Sequence, residues 1–226
     1  MPRRRPERGG DPIRDLARAI RRLTGRDSTV EEERRFEQYL ATLLAWNRVH
    51  RMTGLESPAE IVKEIFQHSL LFLRLLPPGP LVVVDIGAGA GIPGVPLRIV
   101  RPEIRLTLIE SRRKPVSFLA SLKRELQLPD VEVLEGRAED LVRECQSLVG
   151  RFDVVVSRSV GSLPNLIPTA MRYLKADGVF ISSAPPAVKP RPDLPVGGLA
   201  IKWAIVSGGG PELDRSFLSI WNRGVS

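Results

Sequence analysis

The stretch LVVVDIGAGAGIPGVP, residues 81–96, decides the fold that the rest of the chain is predicted to adopt. Leu81 to Val84 form a continuous apolar run rich in β-branched side chains, which is typical of a strand buried on both faces of a parallel sheet. The run ends at Asp85. A backbone that turns sharply and admits a ligand without interference from Cβ atoms needs glycine, and three follow at alternate positions: Gly87, Gly89 and Gly91. Pro93 is then predicted to open a helix that packs on the sheet.

A strand, a glycine turn and a helix at the carboxyl edge of a parallel sheet indicate a nucleotide-type binding site. A dinucleotide site typically has G-x-G-x-x-G, whereas this chain has G-x-G-x-G directly after an acid. That spacing resembles the first motif of class I S-adenosylmethionine-dependent methyltransferases. An ordinary tight turn is the alternative interpretation of the glycines.

Glu110 closes a second predicted strand, about 20 residues after the glycines, where an acid can accept hydrogen bonds from both ribose hydroxyls of an adenosine. This spacing fits dinucleotide and S-adenosylmethionine sites equally. The glycines are not followed by G-K-[ST], which argues against nucleotide hydrolysis. Because the chain also lacks a recognisable nucleophilic triad or paired-carboxylate motif, a bound cofactor is expected to be the reactive partner, and methyl transfer suits this inventory.

From residue 81 onward, strand and helix patterns alternate, which indicates an open α/β sheet. A final antiparallel pair of strands is expected across the glycines at 208–210, giving a mostly parallel sheet of seven. The predicted strands are 81–84, 105–110, 131–134, 154–156, 178–182, 199–205 and 216–221. Predicted helices lie at 114–126, after Arg137 and at 164–174, and the segment 185–195 is proline-rich and irregular.

Two amphipathic helices are predicted before the first strand. Ser28 with Glu31 has the spacing of a capping box and begins a helix that runs to about Asn47. Ser57 as N-cap with Pro58 at the first helical position begins the next, which is expected to stop at the prolines at 77 and 78. The predicted organisation is therefore a basic tail over 1–27, a helical cap over 28–79 and a catalytic domain over 80–226.

The formal charge of +8 indicates a polyanionic partner such as RNA, because a basic surface attracts phosphates. Of the basic residues 28 are Arg and 6 are Lys, a bias that genome composition could also produce. The tail over 1–27 carries a short amphipathic patch at Ile13, Leu16, Ala17 and Ile20, which leaves a partly helical tail as an alternative, but its Arg, Pro and Gly content favours a disordered, solvated segment.

Cysteine and histidine are scarce. With one cysteine, Cys145, and two distant histidines, neither a disulfide framework nor a metal site is expected, and a reducing cytoplasm is the predicted location. The sequence shows neither a run long enough to span a bilayer nor the apolar core of a signal peptide. A monomer that does not associate with membranes is the expected form.

The chain contains four longer motifs: DIGAGAGIPGVPLRIVRPEIRLTLIESRRKPVSFL at 85–119, ELQL at 125–128, GRAED at 136–140 and FDVVVSRSV at 152–160. Together these motifs resemble the glucose-inhibited division B family, also called RsmG. The likeness begins at WNRVHRMTGL, residues 46–55. Members of that family methylate N7 of one guanine in 16S ribosomal RNA. The resemblance implies a Rossmann-like class I methyltransferase that uses S-adenosylmethionine.

The resemblance also implies roles for individual residues. Gly87 and Ile92 match cofactor-contacting positions of the loop, Ala138 and Glu139 match the adenine-side pair, and Arg158 matches an arginine of the site after the fourth strand. Helix capping is the alternative role for Glu139, and a surface salt bridge is the alternative for Arg158. The RNA backbone is expected at Arg112, Arg113 and Lys114, for which a solvated helix face is the alternative.

Two departures from the family pattern bear on the target. Ile65 and His68 stand where members usually carry His and Asp before the serine of the cap, and Ser182 to Pro185 replaces a Leu-Lys-Gly turn. A methyltransferase for another RNA site or for a small molecule therefore remains an alternative, as does a non-catalytic ribosome-assembly protein of the same fold.

N7 of guanine carries a free lone pair, so no general base is expected. Trp46, Phe118 and Trp203 are candidates for base stacking or, alternatively, core residues.

Overall fold

The computed structural model describes residues 11–158, 163–184 and 197–223 of the chain. Seven strands form one sheet in the order β3-β2-β1-β4-β5-β7-β6. The strands from β3 to β5 pair in parallel, and β7 runs antiparallel to both β5 and β6. Their bounds are β1 Val82–Ile86, β2 Arg105–Glu110, β3 Val131–Glu135, β4 Phe152–Arg158, β5 Leu174–Ala184, β6 Leu199–Val206 and β7 Arg215–Asn222. The predicted α/β class and mostly parallel seven-stranded sheet are confirmed.

The strand order reverses at β1, which pairs with β2 on one side and β4 on the other. Ligands of open α/β sheets bind at such a switch point, outside the carboxyl ends of the strands. Asp85 pairs with Leu108 of β2 and with Val156 of β4, and β1 ends one residue later. The glycine loop therefore starts at the crevice.

Helices cover both faces of the sheet. They are α1 Pro12–Thr24, α2 Val30–His50, α3 Pro58–Ile61, α4 His68–Leu70, α5 Gly94–Val100, α6 Arg113–Glu125, α7 Ala138–Glu144 and α8 Leu163–Tyr173. The molecule has two hydrophobic cores, one on each face of the sheet, and alternate residues of β1 belong to different cores. Val83 packs with the helices from α1 to α6, and Val84 packs with α7 and α8. This alternation is the period-2 geometry of a strand.

The N-terminal segment differs from the expected tail. Residues 12–24 form α1, with Asp11 accepting a hydrogen bond from the Ile13 N–H and Gly25 closing the helix in a left-handed conformation. Leu16 and Ile20 are 1% exposed in the main core. The amphipathic patch therefore outweighs the Arg-rich composition, because burial of its apolar stripe offsets the entropy of ordering. Residues 1–10 of the predicted tail lie outside the described residues.

The cap helices begin close to their predicted starts. The capping box of α2 is formed by Thr29 and Glu32, one residue later than the predicted Ser28 and Glu31. Ser57 is the N-cap of α3 as predicted, although its side chain makes no capping hydrogen bond. The regular helix predicted from there is wrong: α3 continues into a π-helical turn, Val62–Gln67, then α4 and a 3₁₀ turn, Leu71–Arg74.

β6 and β7 confirm the predicted antiparallel pair, with bounds that differ by one residue at each end except the start of β6. Pro185 and the rest of the irregular segment predicted up to 195 lie outside the described residues. Within the described part of the chain, no helix has the length and apolarity needed to cross a bilayer.

Candidate active site

The glycine loop is fixed against β2 by backbone hydrogen bonds. The N–H groups of Gly87 and Ala88 both donate to the Ile109 carbonyl, at 2.8 and 3.0 Å. Gly87, Gly89 and Gly91 have φ values of 75°, 54° and 87°, in the left-handed region that glycine adopts without strain. A Cβ on Gly89 would meet no atom of the described residues closer than 3.9 Å. The backbone there faces open space, as a ligand cradle requires.

Behind the loop, Asp85 holds the start of α5. Its Oδ2 accepts from the Gly94 N–H at 2.8 Å, whereas its Oδ1 has no partner among the described residues, and the side chain is fully buried. The pKa of Asp85 is raised to about 7: burial and, less strongly, the charge of Glu110 raise it, and together they outweigh the lowering effects of the Gly94 N–H and Arg158.

The sequence reasoning missed Gly94. A Cβ at this position would lie 2.9 Å from the Asp85 carboxylate and 3.0 Å from both Leu106 and Leu108. Gly94 therefore allows α5 to approach the sheet closely. The glycine of the IPG motif was the available signal. Pro93, which was expected at the first helical position, is instead the N-cap.

Glu110 joins the glycine loop to the start of α6. Its Oε2 accepts from the Gly89 N–H at 3.0 Å, and its Oε1 accepts from the backbone N–H and the Nε of Arg112 at 2.9 and 3.2 Å. The side chain is 4% exposed. With one hydrogen bond at Oε2, that oxygen keeps a free acceptor position at the crevice.

The cap supplies the opposite wall. The buried Tyr39 of α2 donates its hydroxyl to the Ala90 carbonyl of the glycine loop. The chain after α2 is fixed by Asn47, whose Oδ1 accepts from the Thr53 N–H at 2.8 Å and whose Nδ2 donates to the Leu55 carbonyl at 2.7 Å. Sequence reasoning gave no role to this part of the WNRVHRMTGL motif.

These walls enclose a crevice of about 610 Å³. Six of the predicted site residues line it: Gly87, Gly89, Ile92, Glu110, Arg112 and Arg158. Asp85 and Gly91 do not line it: Asp85 lies behind the loop, and Gly91 is the part of the loop that faces Tyr39 and Leu119. Arg158, at the end of β4, is largely buried, and its guanidinium donates to the backbone of the cap, so it does not form the surface salt bridge considered as an alternative.

The adenine-side pair lies beside the crevice at the start of α7. The Gly136 N–H donates to the Glu110 carbonyl at 3.0 Å, which brings this segment next to Glu110. Ala138 is buried and its carbonyl accepts from the Tyr173 hydroxyl at 2.8 Å. Glu139 is exposed and lies 3.4 Å from Arg137. Neither Ala138 nor Glu139 lines the crevice as the structure has it.

Arg112, Arg113 and Lys114 are exposed at the start of α6, at the mouth of the crevice. Of the stacking candidates, Trp46 and Phe118 pack on each other edge to face, with ring centroids 5.6 Å apart. Trp203 packs against the core on the other face of the sheet. All three contribute to the core.

The departures from the family pattern in the cap lie at a polar cluster of Glu64, His68 and Arg215, which sequence reasoning also missed. Ile65 lines the crevice, and His68 is 3% exposed. Arg215 of β7 reaches across to the cap, with its Nη2 3.1 Å from both the Glu64 carboxylate and the His68 Nδ1. The pKa of His68 is lowered to about 3: burial and the charges of Arg215, Arg158 and Lys63 lower it, and together they outweigh the hydrogen bond to the Glu64 carbonyl, which raises it. Ser182 is buried in β5, opposite Ser157 of β4.

Two solved structures of methyltransferases share this arrangement of sheet and helices. A S-adenosylmethionine-dependent methyltransferase from Aquifex aeolicus superposes with a TM-score of 0.55 at 14% identity, over 75% of this chain and 96% of that one. A ribosomal protein L11 methylase from Lactobacillus delbrueckii subsp. bulgaricus gives 0.52 at 18%, over 75% and 80%. The chain therefore belongs to the class of Rossmann-like α/β proteins that these two structures represent.

Sequence comparison identifies the family. The model for rRNA small subunit methyltransferase G matches residues 32–183. Proteins named ribosomal RNA small subunit methyltransferase G are 34% identical in Clostridium kluyveri, over 70% of this chain and 67% of that protein, and 38% identical in Syntrophus aciditrophicus, over 66% and 61%. The chain therefore belongs to the rRNA small subunit methyltransferase G family, as its motifs indicated. The match spans about two thirds of the length of these relatives.

Proposed function

We propose that this protein transfers a methyl group from S-adenosylmethionine to N7 of a guanine in 16S ribosomal RNA. The observation that carries the proposal is the crevice itself. It places a glycine loop open to a ligand, a buried carboxylate with a free acceptor position and a buried guanidinium in one space, in a chain of this family. Ribosomal RNA as substrate puts the activity in the cytoplasm, and we expect a monomer to perform it.

The residues present fit the cofactor. Gly89 leaves room for a ligand against the backbone, and Glu110 Oε2 can accept from a ribose hydroxyl. The buried Arg158 offers a charge to the carboxylate of the cofactor's amino-acid end. In this proposal Gly87, Ile92, Ala138 and Glu139 form the remaining contacts, while Asp85 and Gly91 hold the loop in shape.

Alignment is the main task of these side chains. When bound, S-adenosylmethionine supplies a methyl group that its positively charged sulfur already activates. The guanine N7 lone pair is free at neutral pH, so no residue needs to remove a proton. The contribution of the chain is to fix the cofactor against the glycine loop and to admit the base between that loop and the cap. Arg112, Arg113 and Lys114 are proposed to hold the RNA backbone at the mouth.

The test is methylation of 16S ribosomal RNA transcribed in vitro, with tritiated S-adenosylmethionine and a mass map of the nuclease fragments. One N7-methylated guanine is the expected product. Label at another base would favour the alternative of a different RNA site, and binding of RNA without label in the presence of bound cofactor would favour the assembly protein.

A further inference from the structure

Two arginines lie on the cap, next in the chain to residues that line the crevice. Arg48 is in the last turn of α2, and Arg51 directly follows that helix; both are exposed. They line a groove of about 520 Å³ together with Leu44, Asn47, Glu56 and Pro58. Nothing in the proposed chemistry of the site uses this groove.

The backbone that carries these arginines is held rigidly. Arg51 caps α2 in a left-handed conformation, with its N–H donating to the Asn47 carbonyl at 3.1 Å. The side chain of the same asparagine fixes Thr53 and Leu55, as described above. Two guanidiniums on a fixed backbone are preorganised for an anion, since less freedom is lost on binding.

Both arginines are available to an external partner. In the described part of the chain neither forms an ion pair, and Glu56 of the same groove pairs with neither. Other arginines of α1 and α2 are neutralised by carboxylates: Arg21 lies 3.2 Å from Asp27, and Arg34 lies 2.7 Å from Glu31. Unpaired guanidiniums in a groove suit phosphate, which they bind bidentately.

The groove adjoins the crevice. Met52, Thr53 and Leu55, which directly follow Arg51, line the crevice on the cap side, and Arg112 lines it on the sheet side. Helices α2 and α6 meet through Trp46 and Phe118 near these ends. The crevice therefore opens between two basic flanks, Arg48 with Arg51 on the cap and Arg112 to Lys114 at the start of α6.

We propose that Arg48 and Arg51 form a second phosphate-binding surface for the RNA substrate. An RNA strand crosses the mouth of the crevice with phosphates held on both flanks, and the base between them enters toward the glycine loop. Arginine contacts to phosphate position a strand without reading its sequence. This inference rests on the proposed function, since it assigns the RNA to the same crevice.

The test compares two double variants of equal charge change. R48Q/R51Q removes the two positive charges on the cap. R105Q/K123Q removes two cations of a groove at the amino ends of the strands, on the edge of the sheet away from the crevice. Binding to 16S ribosomal RNA transcribed in vitro is measured against salt concentration, with S-adenosylhomocysteine present. Loss of two phosphate contacts is expected to reduce the slope of log K against log salt by about 1.4 to 1.8.

At 0.15 M salt that change corresponds to about 15- to 30-fold weaker binding by R48Q/R51Q, whereas R105Q/K123Q is expected to keep the wild-type slope. Affinity for S-adenosylhomocysteine, measured by calorimetry, should be the same in all three proteins. Equal slopes for the two variants would overturn the inference. If the wild type methylates the RNA and R48Q/R51Q matches it at every salt concentration, the inference alone fails. If the wild type does not bind the RNA, both the inference and the proposed function fail.

Discussion

The guanidinium of Arg158 is held by the backbone of Glu64: its Nη2 donates to the Glu64 carbonyl at 2.6 Å, and Nη1 donates to the next carbonyl, of Ile65, at 3.4 Å. Both carbonyls belong to the π-helical turn, a distortion often found at functional sites. The carboxylate of Glu64 faces Arg215 instead. In the described residues Arg158 therefore has carbonyl partners but no carboxylate, and burial lowers its pKa, as does the charge of Arg215.

A buried guanidinium without a carboxylate partner is suited to an external anion. We expect R158M to weaken binding of S-adenosylhomocysteine at least ~10-fold, the loss of one hydrogen bond to a charged group. Thermal stability should change little, because Ser69 Oγ still donates to the Ile65 carbonyl. R158K, which keeps the charge without the planar fork, should fall between the two proteins. Calorimetry that gives R158M the wild-type affinity would remove Arg158 from the cofactor site.

Glu110 provides a second test of the cofactor site. E110Q replaces a carboxylate that accepts from Gly89 and Arg112 with an amide that has a single acceptor oxygen. We expect S-adenosylhomocysteine to bind about 10- to 100-fold more weakly, because hydrogen bonds to a charged group contribute roughly 1.5–3 kcal/mol. The matched control is E135Q, at the exposed end of β3 directly opposite Glu110 in the sheet. Equal losses in the two variants would contradict the role of Glu110.

Patterns with a strong local period were predictable from the sequence. The apolar runs of β1 and β2, the glycine loop and the acid at Glu110 all follow from spacing, because each feature is decided within a few residues. The error at α1 has a different cause. Composition over 1–27 favoured disorder, but the apolar stripe of 12–24 is stabilised by a core that only the complete fold supplies.

Contacts distant in sequence were not predictable. Arg215 meets Glu64 across 151 positions, and Tyr39 reaches Ala90 across 51. No local pattern reports such pairs. The π-helical turn was also missed, since its residues continue an ordinary amphipathic pattern. Gly94 was missed for a related reason: its need for close packing depends on Leu106 and Leu108, which belong to another strand.

The shape of the glycine loop can be tested by adding one methyl group. In G91A the new Cβ would lie 2.9 Å from Val95, 3.0 Å from the Tyr39 hydroxyl and 3.2 Å from Leu119, at a φ of 87°. G79A places the same methyl at a φ of 82° with nothing within 4 Å. We expect G79A to lower the free energy of unfolding by about 1 kcal/mol, from backbone strain alone.

G91A should cost about 1–3 kcal/mol more than G79A, because the added methyl overpacks the contact between cap and loop. Urea unfolding followed by circular dichroism measures both values, with unchanged m-values as the check that each transition remains comparable. Should G91A prove no less stable than G79A, the close packing of Tyr39 and Leu119 on this loop would be disproved.

The pH dependence of stability should reveal Asp85. In the folded chain without cofactor this carboxyl has a pKa of about 7, against an ordinary value of 3.8. Between these two pH values the native state holds a proton that the unfolded state has released, so the free energy of unfolding falls as pH rises from about 4 to 7. The full effect amounts to at most about 4 kcal/mol, at about 1.4 kcal/mol for each pH unit.

D85N provides the reference, because its amide oxygen can still accept from Gly94 and does not titrate. Urea unfolding at several pH values without cofactor should show D85N gaining stability relative to the wild type across that window. A constant difference between the two proteins would mean that Asp85 is already ionised in the native state throughout.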